Sequence, residues 1–287
     1  MFFLFFLKTK LIFDIFFHSK NIFWLFDLFF PLMYYFFMNE ENIKKSIDNL
    51  KKKFIKIRDM KYVKSINNNS SGIGLTFEKL LGKEIDNFPL PDYHNIELKT
   101  KLAYSTRPIT LFRLTPDGKN FFELKRIINE YGYYTKNSNE YKSLSSEVTA
   151  IYKKKIESNY YLKLHLNYKM KKLELHIYDI YGRLIDSNAY WEFEKIKIAL
   201  FRKLQYLAVI TTYGMNKNGE YYYKYYKLTM YKLKSFNDFL QALNSGLVII
   251  GFSIDTYKTG PKKGLPHNHG VCFKIYESNL SAIFKKI

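Results

Sequence analysis

Apolar residues recur at helical spacing early in the chain. Intervals of four, three, four and three separate Ile43, Ile47, Leu50, Phe54 and Ile57. This spacing places all of them on one face of a helix. The acidic residues Glu40 and Glu41 precede the stripe and suit a helix N-terminus. We therefore predict an amphipathic first helix over residues 40–60, with its many lysines mainly on the solvated face.

The remaining pattern mixes strands with helices. Helical periodicity predicts helices over residues 76–81, 120–131, 191–204 and 235–244. Alternating or continuous apolar runs predict strands over residues 108–114, 145–151, 160–179, 206–213, 221–231 and 247–254. Ser235, with Asp238 three residues later, is typical of a helix cap. This order predicts an α/β (α+β) fold with a mixed sheet flanked by helices, and not a doubly wound sheet.

The first 37 residues are rich in phenylalanine, which would suit a membrane anchor. Asp14, Lys20 and Asp27 interrupt the segment, and its longest uncharged run, residues 28–39, is too short to cross a bilayer. We expect Met38 to be the true start, because the first amphipathic helix follows it at once. Residues 1–37 are then an extension outside the fold, without stable membrane association.

The charge balance indicates a polyanionic partner. The formal net charge is +20, and the lysines are spread along the whole chain. Nucleic acid or an acidic membrane surface would both attract such a chain. Cys272 is the single cysteine, which rules out a disulfide within the chain and fits a reducing cytoplasm.

Residues 71–101 carry the candidate chemistry. Glu97 and Lys99 stand two apart, so they share one face of a strand, while Leu98 points the other way. Asp92 precedes a predicted turn at residues 93–95, and a hairpin would fold it back beside Glu97. Two converging carboxylates make a hard oxygen site suited to Mg²⁺. An amine beside them would orient a water or stabilise charge on a phosphate.

A third acid lies upstream of the hairpin. Glu78 is the acidic residue on the short predicted helix that stops at Gly82, so it could turn toward the same ion. Taken one at a time, Glu78, Glu97 and Lys99 are ordinary solvated positions, and Asp-x4-Glu-x-Lys arises often by chance. The specificity of the signal lies in the joint pattern.

That pattern resembles the MvaI/BcnI restriction endonucleases, a MutH-like branch of the PD-(D/E)XK nucleases. The motifs that carry the resemblance are Gly72-Ile73-Gly74, Glu78-x-Leu80-Leu81-Gly82, Pro89-Leu90-Pro91-Asp92, Ile96-Glu97-Leu98-Lys99-Thr100-Lys101, Ile109-Thr110-Leu111-Phe112 and, much later, His267-Asn268-His269-Gly270 with Phe273. The match is dense over about thirty residues and sparse beyond them, and it extends from Met38 to about Tyr276.

The resemblance implies a restriction-endonuclease-like core in a two-lobed, MutH-like clamp over residues 38–287. Residues 38–134 would mainly cut and residues 135–287 would mainly read DNA. Asp92, Glu97 and Glu78 would hold Mg²⁺, and Lys99 would position the attacking water. The enzyme would be a cytoplasmic monomer that hydrolyses double-stranded DNA at a short, nearly palindromic CC-x-GG-like site and leaves a 5′-phosphate. A cognate DNA methyltransferase would be its genetic partner.

Residues near the end of the chain are the candidates for DNA contact. Lys262 and Lys263 lie in a glycine-containing basic loop before His267 and His269, and Lys101 follows the catalytic motif. Imidazoles can donate to base edges or phosphates, although histidines at a hairpin end commonly cap backbone groups. The tyrosine-rich run at residues 221–231 could stack on DNA, but packing by one face is the commoner role.

Three other functions fit the same residues. A MutH-like repair enzyme would share the core but nick one strand. A DNA-binding protein with an inactive site would bind without cutting. A membrane-surface protein would use residues 1–37 as its anchor.

Overall fold

The computed structural model describes residues 40–69, 71–83, 90–118, 123–135 and 138–287. The chain divides into two compact units, residues 1–49 and residues 50–287. Of the first unit, only residues 40–49 are described, and they form the first half of a helix. The predicted extension at residues 1–37 and the expected start at Met38 lie outside the described residues.

The described residues form six α-helices. They are α1 (Glu40–Asp59), α2 (Gly72–Leu80), α3 (Glu123–Tyr131), α4 (Phe193–Leu204), α5 (Phe236–Asn244) and α6 (Leu280–Ile283). The predicted first helix is confirmed. Helix α4 begins two residues later than predicted, because Trp191 pairs with Leu173 on a neighbouring strand. Within the described residues, no helix combines the length and apolar character needed for a membrane span.

Fifteen strands are described. They are β1 (Val63–Lys64), β2 (Ile96–Leu102), β3 (Ile109–Arg113), β4 (Tyr133–Thr135), β5 (Ser138–Val148), β6 (Lys154–Lys155), β7 (Tyr161–Asn167), β8 (Lys172–Tyr178), β9 (Leu184–Asp186), β10 (Tyr190–Glu192), β11 (Tyr206–Lys217), β12 (Glu220–Leu233), β13 (Val248–Thr256), β14 (Pro266–Ile275) and β15 (Phe284–Lys286). They make three five-stranded sheets.

The first sheet has the order β1-β12-β11-β2, with β15 also paired to β12. Strand β2 runs parallel to β11, whereas β11 and β12 form an antiparallel hairpin. The sheet is therefore mixed, as predicted. Strand β2 lies at one end of this order, so the Glu97–Lys99 segment borders a single neighbouring strand.

The other two sheets hold most of the remaining strands. The second sheet has the order β10-β8-β7-β6, with β9 on β8, and the third has the order β3-β14-β13-β5-β4. The predicted strand at residues 108–114 is present as β3, which pairs with β14. One set of buried apolar side chains, including Trp191, Phe239 and Phe273, runs through all three sheets. The three sheets therefore share one core.

The cap predicted for α5 is confirmed. Ser235 Oγ accepts a hydrogen bond from the backbone N–H of Asp238 at 3.1 Å, and the two side chains also contact each other. Ser235→Ala leaves that N–H without its partner, so we expect a loss of about 1 kcal/mol in the free energy of unfolding. Urea denaturation measures the loss, and Ser235→Thr, which keeps the hydroxyl, is the control. Equal stability of both variants with the wild type would contradict a stabilising cap.

Candidate active site

A tight turn folds Asp92 toward strand β2. Tyr93 and Ile96 exchange both backbone hydrogen bonds, at 2.9 and 2.8 Å. The two residues between them, His94 and Asn95, have positive φ angles of 41° and 71°. Two left-handed residues in succession make the turn type that suits a two-residue hairpin, and asparagine tolerates this conformation well. The turn expected at residues 93–95 is therefore confirmed.

The carboxylate of Asp92 is fixed against the start of β2. Its Oδ2 accepts a hydrogen bond from the backbone N–H of Leu98 at 3.0 Å. This bond spans the turn and places the Asp92 carboxylate at the backbone of Leu98, the residue between Glu97 and Lys99. The position of Asp92 beside Glu97 and Lys99 thus follows from a backbone contact.

Glu97 is the most enclosed charged group of the cluster. Its side chain is 0% exposed, yet it contacts two ammonium groups through Oε1: Lys99, and Lys203 at 3.3 Å. Its other oxygen, Oε2, is buried and accepts no hydrogen bond from any residue that the structure describes. A buried carboxylate oxygen without a partner is costly, so this oxygen is suited to a bound cation.

Glu78 meets the same cluster through a lysine. Lys83 Nζ lies 3.4 Å from Glu78 Oε2 and 3.6 Å from Asp92 Oδ1. A single positive charge is therefore shared between the carboxylates of the helix and the turn. The Lys83 ammonium therefore links the carboxylates of Glu78 and Asp92.

Helix α2 is held against the first sheet, and this positions Glu78. Phe77 is fully buried and packs on Tyr225 of β12, with ring centroids 5.0 Å apart. The Tyr225 hydroxyl donates to the Ile73 carbonyl at 2.8 Å. Position 72 at the start of the helix requires glycine, because a Cβ there would lie only 2.5 Å from Ser65 Oγ. The first glycine of Gly72-Ile73-Gly74 thus has a steric reason.

The electrostatics of the acids are coupled. Burial raises the pKa of Glu97 above its usual 4.5, Lys99 and Lys203 oppose that shift, and the charge of Asp92 adds to it. Burial and the charge of Asp92 likewise raise the pKa of Glu78, against the lowering effect of Lys83 and Lys99. Carboxylates that disfavour their own charge in this way gain from a nearby divalent cation.

The donor set fits a hard divalent ion. Carboxylate oxygens such as those of Asp92, Glu97 and Glu78 are the ligands that Mg²⁺ prefers, and Glu97 Oε2 has no hydrogen-bond donor among the described residues. These are the same acids that the sequence pattern singled out: Asp92 and Glu97 lie at the Leu98–Lys99 segment, and Glu78 is joined to Asp92 through Lys83.

Two lysines of the site escaped the sequence analysis. Lys83 follows Gly82 directly, and its contacts with Glu78 and Asp92 depend on the fold of the turn. Lys203 lies in the last turn of α4, more than a hundred residues after Glu97 along the chain. Helix α4 also carries Lys195, Lys197 and Arg202, and no local signal distinguishes Lys203 from them.

Of the residues predicted to contact DNA, Lys101 lies on a different strand from the others, which belong to β14 and the loop before it. Lys101 is on β2 and pairs with Glu277 at 2.7 Å. His267 is on β14 of the third sheet, where it stacks on Tyr257 and its Nδ1 lies 3.2 Å from Asp255 Oδ1. His269 is also on β14, but its side chain is outside the described part.

The basic loop before β14 stands at the surface. Lys262 and Lys263 are exposed. The Lys262 ammonium lies 5.8 Å from the ring centroid of Tyr257, and that of Lys263 lies 3.8 Å from Glu140 Oε1. Both side chains are therefore accessible to a bound partner.

The tyrosine-rich strand packs by one face, as expected of such a strand. Tyr223 and Tyr225 of β12 are buried, and Tyr225 contacts α2 as described above. Tyr226 lies on the opposite face and stacks on Tyr213, with ring centroids 4.5 Å apart. The strand therefore supports the helix that carries Glu78.

Comparison with known proteins identifies the family. The model of the MvaI/BcnI restriction endonuclease family matches residues 51–284. Among curated protein sequences, none matches the chain significantly.

Two solved structures of the restriction endonuclease MvaI are similar to this one. The complex of MvaI with its cognate DNA is 29% identical, covers 83% of this chain and 96% of its own, and superposes with a TM-score of 0.74. MvaI in the absence of DNA is 28% identical, with coverage of 84% and 96%, and gives a TM-score of 0.56. The expected restriction-endonuclease-like fold is thereby confirmed. Because the family model spans most of the chain and includes Glu78, Asp92, Glu97 and Lys99, the protein belongs to the MvaI/BcnI restriction endonuclease family.

Proposed function

We propose that the protein is a Mg²⁺-dependent type II restriction endonuclease that hydrolyses both strands of DNA at a short, nearly palindromic CC-x-GG-like site. Membership of the family makes the chain a site-specific deoxyribonuclease. The observation that carries the proposed mechanism is the convergence of Asp92, Glu97 and Lys99, with Glu78 held nearby through Lys83.

Each side chain of the cluster has a role in the proposal. Asp92 and Glu97 would hold the ion, and Glu78 would assist. A bound Mg²⁺ would supply Lewis acidity, which lowers the pKa of water and offsets charge on the phosphate. The Lys99 ammonium orients the attacking water and stabilises the negative charge that develops on the phosphate oxygens. Glu97 keeps that ammonium in place through Oε1.

DNA is the proposed partner. The net charge of +20 favours a polyanion, and basic side chains would give affinity that falls with salt. One of the similar solved structures is a complex of MvaI with its cognate DNA. We infer a cytoplasmic monomer whose host carries a cognate methyltransferase.

Base reading is assigned mainly to residues 135–287 and cutting mainly to residues 38–134. His267, His269, Lys262, Lys263 and Lys101 are the proposed DNA contacts. The division is not strict, because Lys203 contacts Glu97. Strands β11 and β12 also belong to the sheet whose strand β2 carries Glu97.

Incubation of the full chain with plasmid DNA and Mg²⁺ tests the proposal. Discrete double-strand fragments are the expected product. Nicked circles would favour a MutH-like repair enzyme, and binding without cleavage would indicate an inactive site. Omission of Mg²⁺, or addition of a chelator, should stop cleavage.

As the pH falls, cleavage should be lost at a higher pH than the ordinary pKa of a glutamate would predict. A protonated carboxyl cannot hold the ion, and the folded protein raises the pKa of Glu97 and Glu78 above 4.5. Activity is therefore present above the raised pKa values and is lost as the pH falls through them. A pH–rate profile at several Mg²⁺ concentrations measures this, because more Mg²⁺ should move the loss to lower pH. A loss whose pH is independent of Mg²⁺ would contradict the assignment.

Lys203→Met should shift the acidic limb of the same pH–rate profile. Lys203 lowers the pKa of Glu97, so its removal lets Glu97 take up a proton at higher pH. We expect the acidic limb to shift to higher pH, with a smaller change in rate on the alkaline side. The matched control is Lys197→Met on the exposed side of the same helix, which pairs with Glu194. Identical profiles for both variants would contradict an effect of the Lys203 charge on the pKa of Glu97.

A further inference from the structure

The outward face of the second sheet carries a group of polar side chains unconnected with the active site. Along β7 and β8, buried and more accessible positions alternate strictly, with leucines and Ile177 on the inner face. The other face presents His165 of β7 together with Glu174 and His176 of β8. Nothing in the proposed nuclease mechanism uses these three residues.

Strand register holds the three side chains together. His165 pairs directly with Glu174 across the hairpin, and His176 lies two residues along β8 on the same face. One nitrogen from each histidine and one carboxylate oxygen all lie within 4.8 Å of one another. Among the residues that the structure describes, this is the one set of three or more histidine, cysteine or acidic side chains that meets so closely.

The distances are those of an almost assembled coordination site. His176 Nε2 lies 2.9 Å from Glu174 Oε2, and the rings of His165 and His176 stack with centroids 4.6 Å apart. Two ligands of one tetrahedral zinc ion lie about 3.3 Å apart, since each is about 2.0 to 2.1 Å from the metal. Small side-chain rotations would close the remaining gap without movement of the strands.

Neighbouring side chains already orient the ligands. Asn167 Nδ2 donates to Glu174 Oε1 at 2.9 Å, so Oε2 is left to face His176. His176 Nδ1 lies 3.3 Å from the Tyr178 hydroxyl. If Nε2 coordinates a metal, Nδ1 carries the proton and can donate it to the tyrosine oxygen. Outer hydrogen bonds of this kind are typical of metal-ligating histidines and carboxylates.

We propose that His165, Glu174 and His176 form a second metal site, selective for a borderline transition-metal ion such as Zn²⁺, which clips β7 to β8. Two imidazoles and one carboxylate favour Zn²⁺ over Mg²⁺, which prefers oxygen ligands alone. Three protein ligands leave a fourth position for water. The site is chemically distinct from the all-oxygen set at Glu78, Asp92 and Glu97.

One nearby charge opposes the ion. Lys163 pairs across the hairpin with His176 and shares its face, so its ammonium reduces the affinity for a cation. Lys172, at the other end of the face, is engaged over the ring of Tyr190 at 3.5 Å. Lys163 therefore supplies a matched control, because its neutralisation should strengthen binding.

Calorimetric titration of the full chain with Zn²⁺ in excess Mg²⁺ tests the proposal. The wild type should bind one Zn²⁺ at this site, and His165→Gln or His176→Gln should weaken that binding about a hundredfold or more. Lys163→Gln should tighten it by up to about fivefold. The double variant Asp92→Asn with Glu97→Gln should keep it, which separates this site from the catalytic acids.

Thermal unfolding gives an independent readout. Zn²⁺ should raise the Tm of the wild type but not of the histidine variants, because an ion that binds the folded state stabilises it. The variants alter an outward face, and their Tm without Zn²⁺ checks that they fold. The proposal is overturned if the wild type binds no Zn²⁺ in excess Mg²⁺, or if the histidine variants bind it as tightly. Neither result would bear on DNA cleavage.

Discussion

Lys99→Ala is expected to reduce DNA cleavage by about 10³-fold while leaving DNA binding nearly intact. The Lys99 ammonium contacts Glu97, and its charge also lowers the pKa of Glu78. Removing one preorganised charge from a phosphate-transfer site typically costs two to three orders of magnitude in rate. The same change removes one positive charge from a chain with a net charge of +20, so overall affinity should barely change.

Cleavage of a plasmid that carries sites for the enzyme measures the rate, and gel-shift titration in Ca²⁺ measures binding. Lys197→Ala is the matched control, because it removes the same charge from an exposed position on α4. It should cut at the wild-type rate. Normal cleavage by Lys99→Ala would disprove the assigned role, whereas loss of both binding and cleavage would point to misfolding.

Asp92→Asn and Glu97→Gln form the second prediction with a large effect. Each replaces a carboxylate by an amide of nearly equal shape, so the side chain is retained while its charge is lost. An amide is a poor ligand for Mg²⁺, and we expect cleavage to fall by about 10³-fold or more. Added Mn²⁺ should restore a little activity in Asp92→Asn. DNA binding should stay the same or tighten, because a negative charge near the phosphates is removed.

Glu97→Gln also separates function from stability. The folded protein raises the pKa of Glu97, so the charged form is disfavoured relative to the unfolded chain at neutral pH. A neutral amide therefore should not lower the Tm, although it leaves Lys99 and Lys203 without their shared partner. Stable, DNA-binding, inactive variants are the expected outcome. Full cleavage by both variants at low Mg²⁺ would exclude these carboxylates as metal ligands.

The site illustrates a conflict between stability and activity. An acid that is 0% exposed, with one oxygen lacking a donor among the described residues, is an expensive arrangement. The folded chain tolerates it because the Phe77–Tyr225 packing and the Tyr93–Ile96 turn hold the surrounding backbone. Such a cost is expected where a cation is to bind.

The sequence by itself determined the local part of this protein. The two-residue offset of Glu97 and Lys99 dictates a shared strand face, and the turn residues before Ile96 dictate the return of Asp92. Helical spacing predicted α1, and the Ser235–Asp238 pair predicted the start of α5. These features depend on contacts within a few residues, so periodicity and turn chemistry are sufficient to predict them.

Only the tertiary structure decided which distant elements meet. The parallel pairing of β2 with β11 joins segments more than a hundred residues apart, and it brings α4 with Lys203 to Glu97. The pairing of β3 with β14 likewise joins segments that are distant along the chain. Local sequence patterns do not predict such pairings, because the free energy that selects them comes from burial of the common core and not from neighbouring residues.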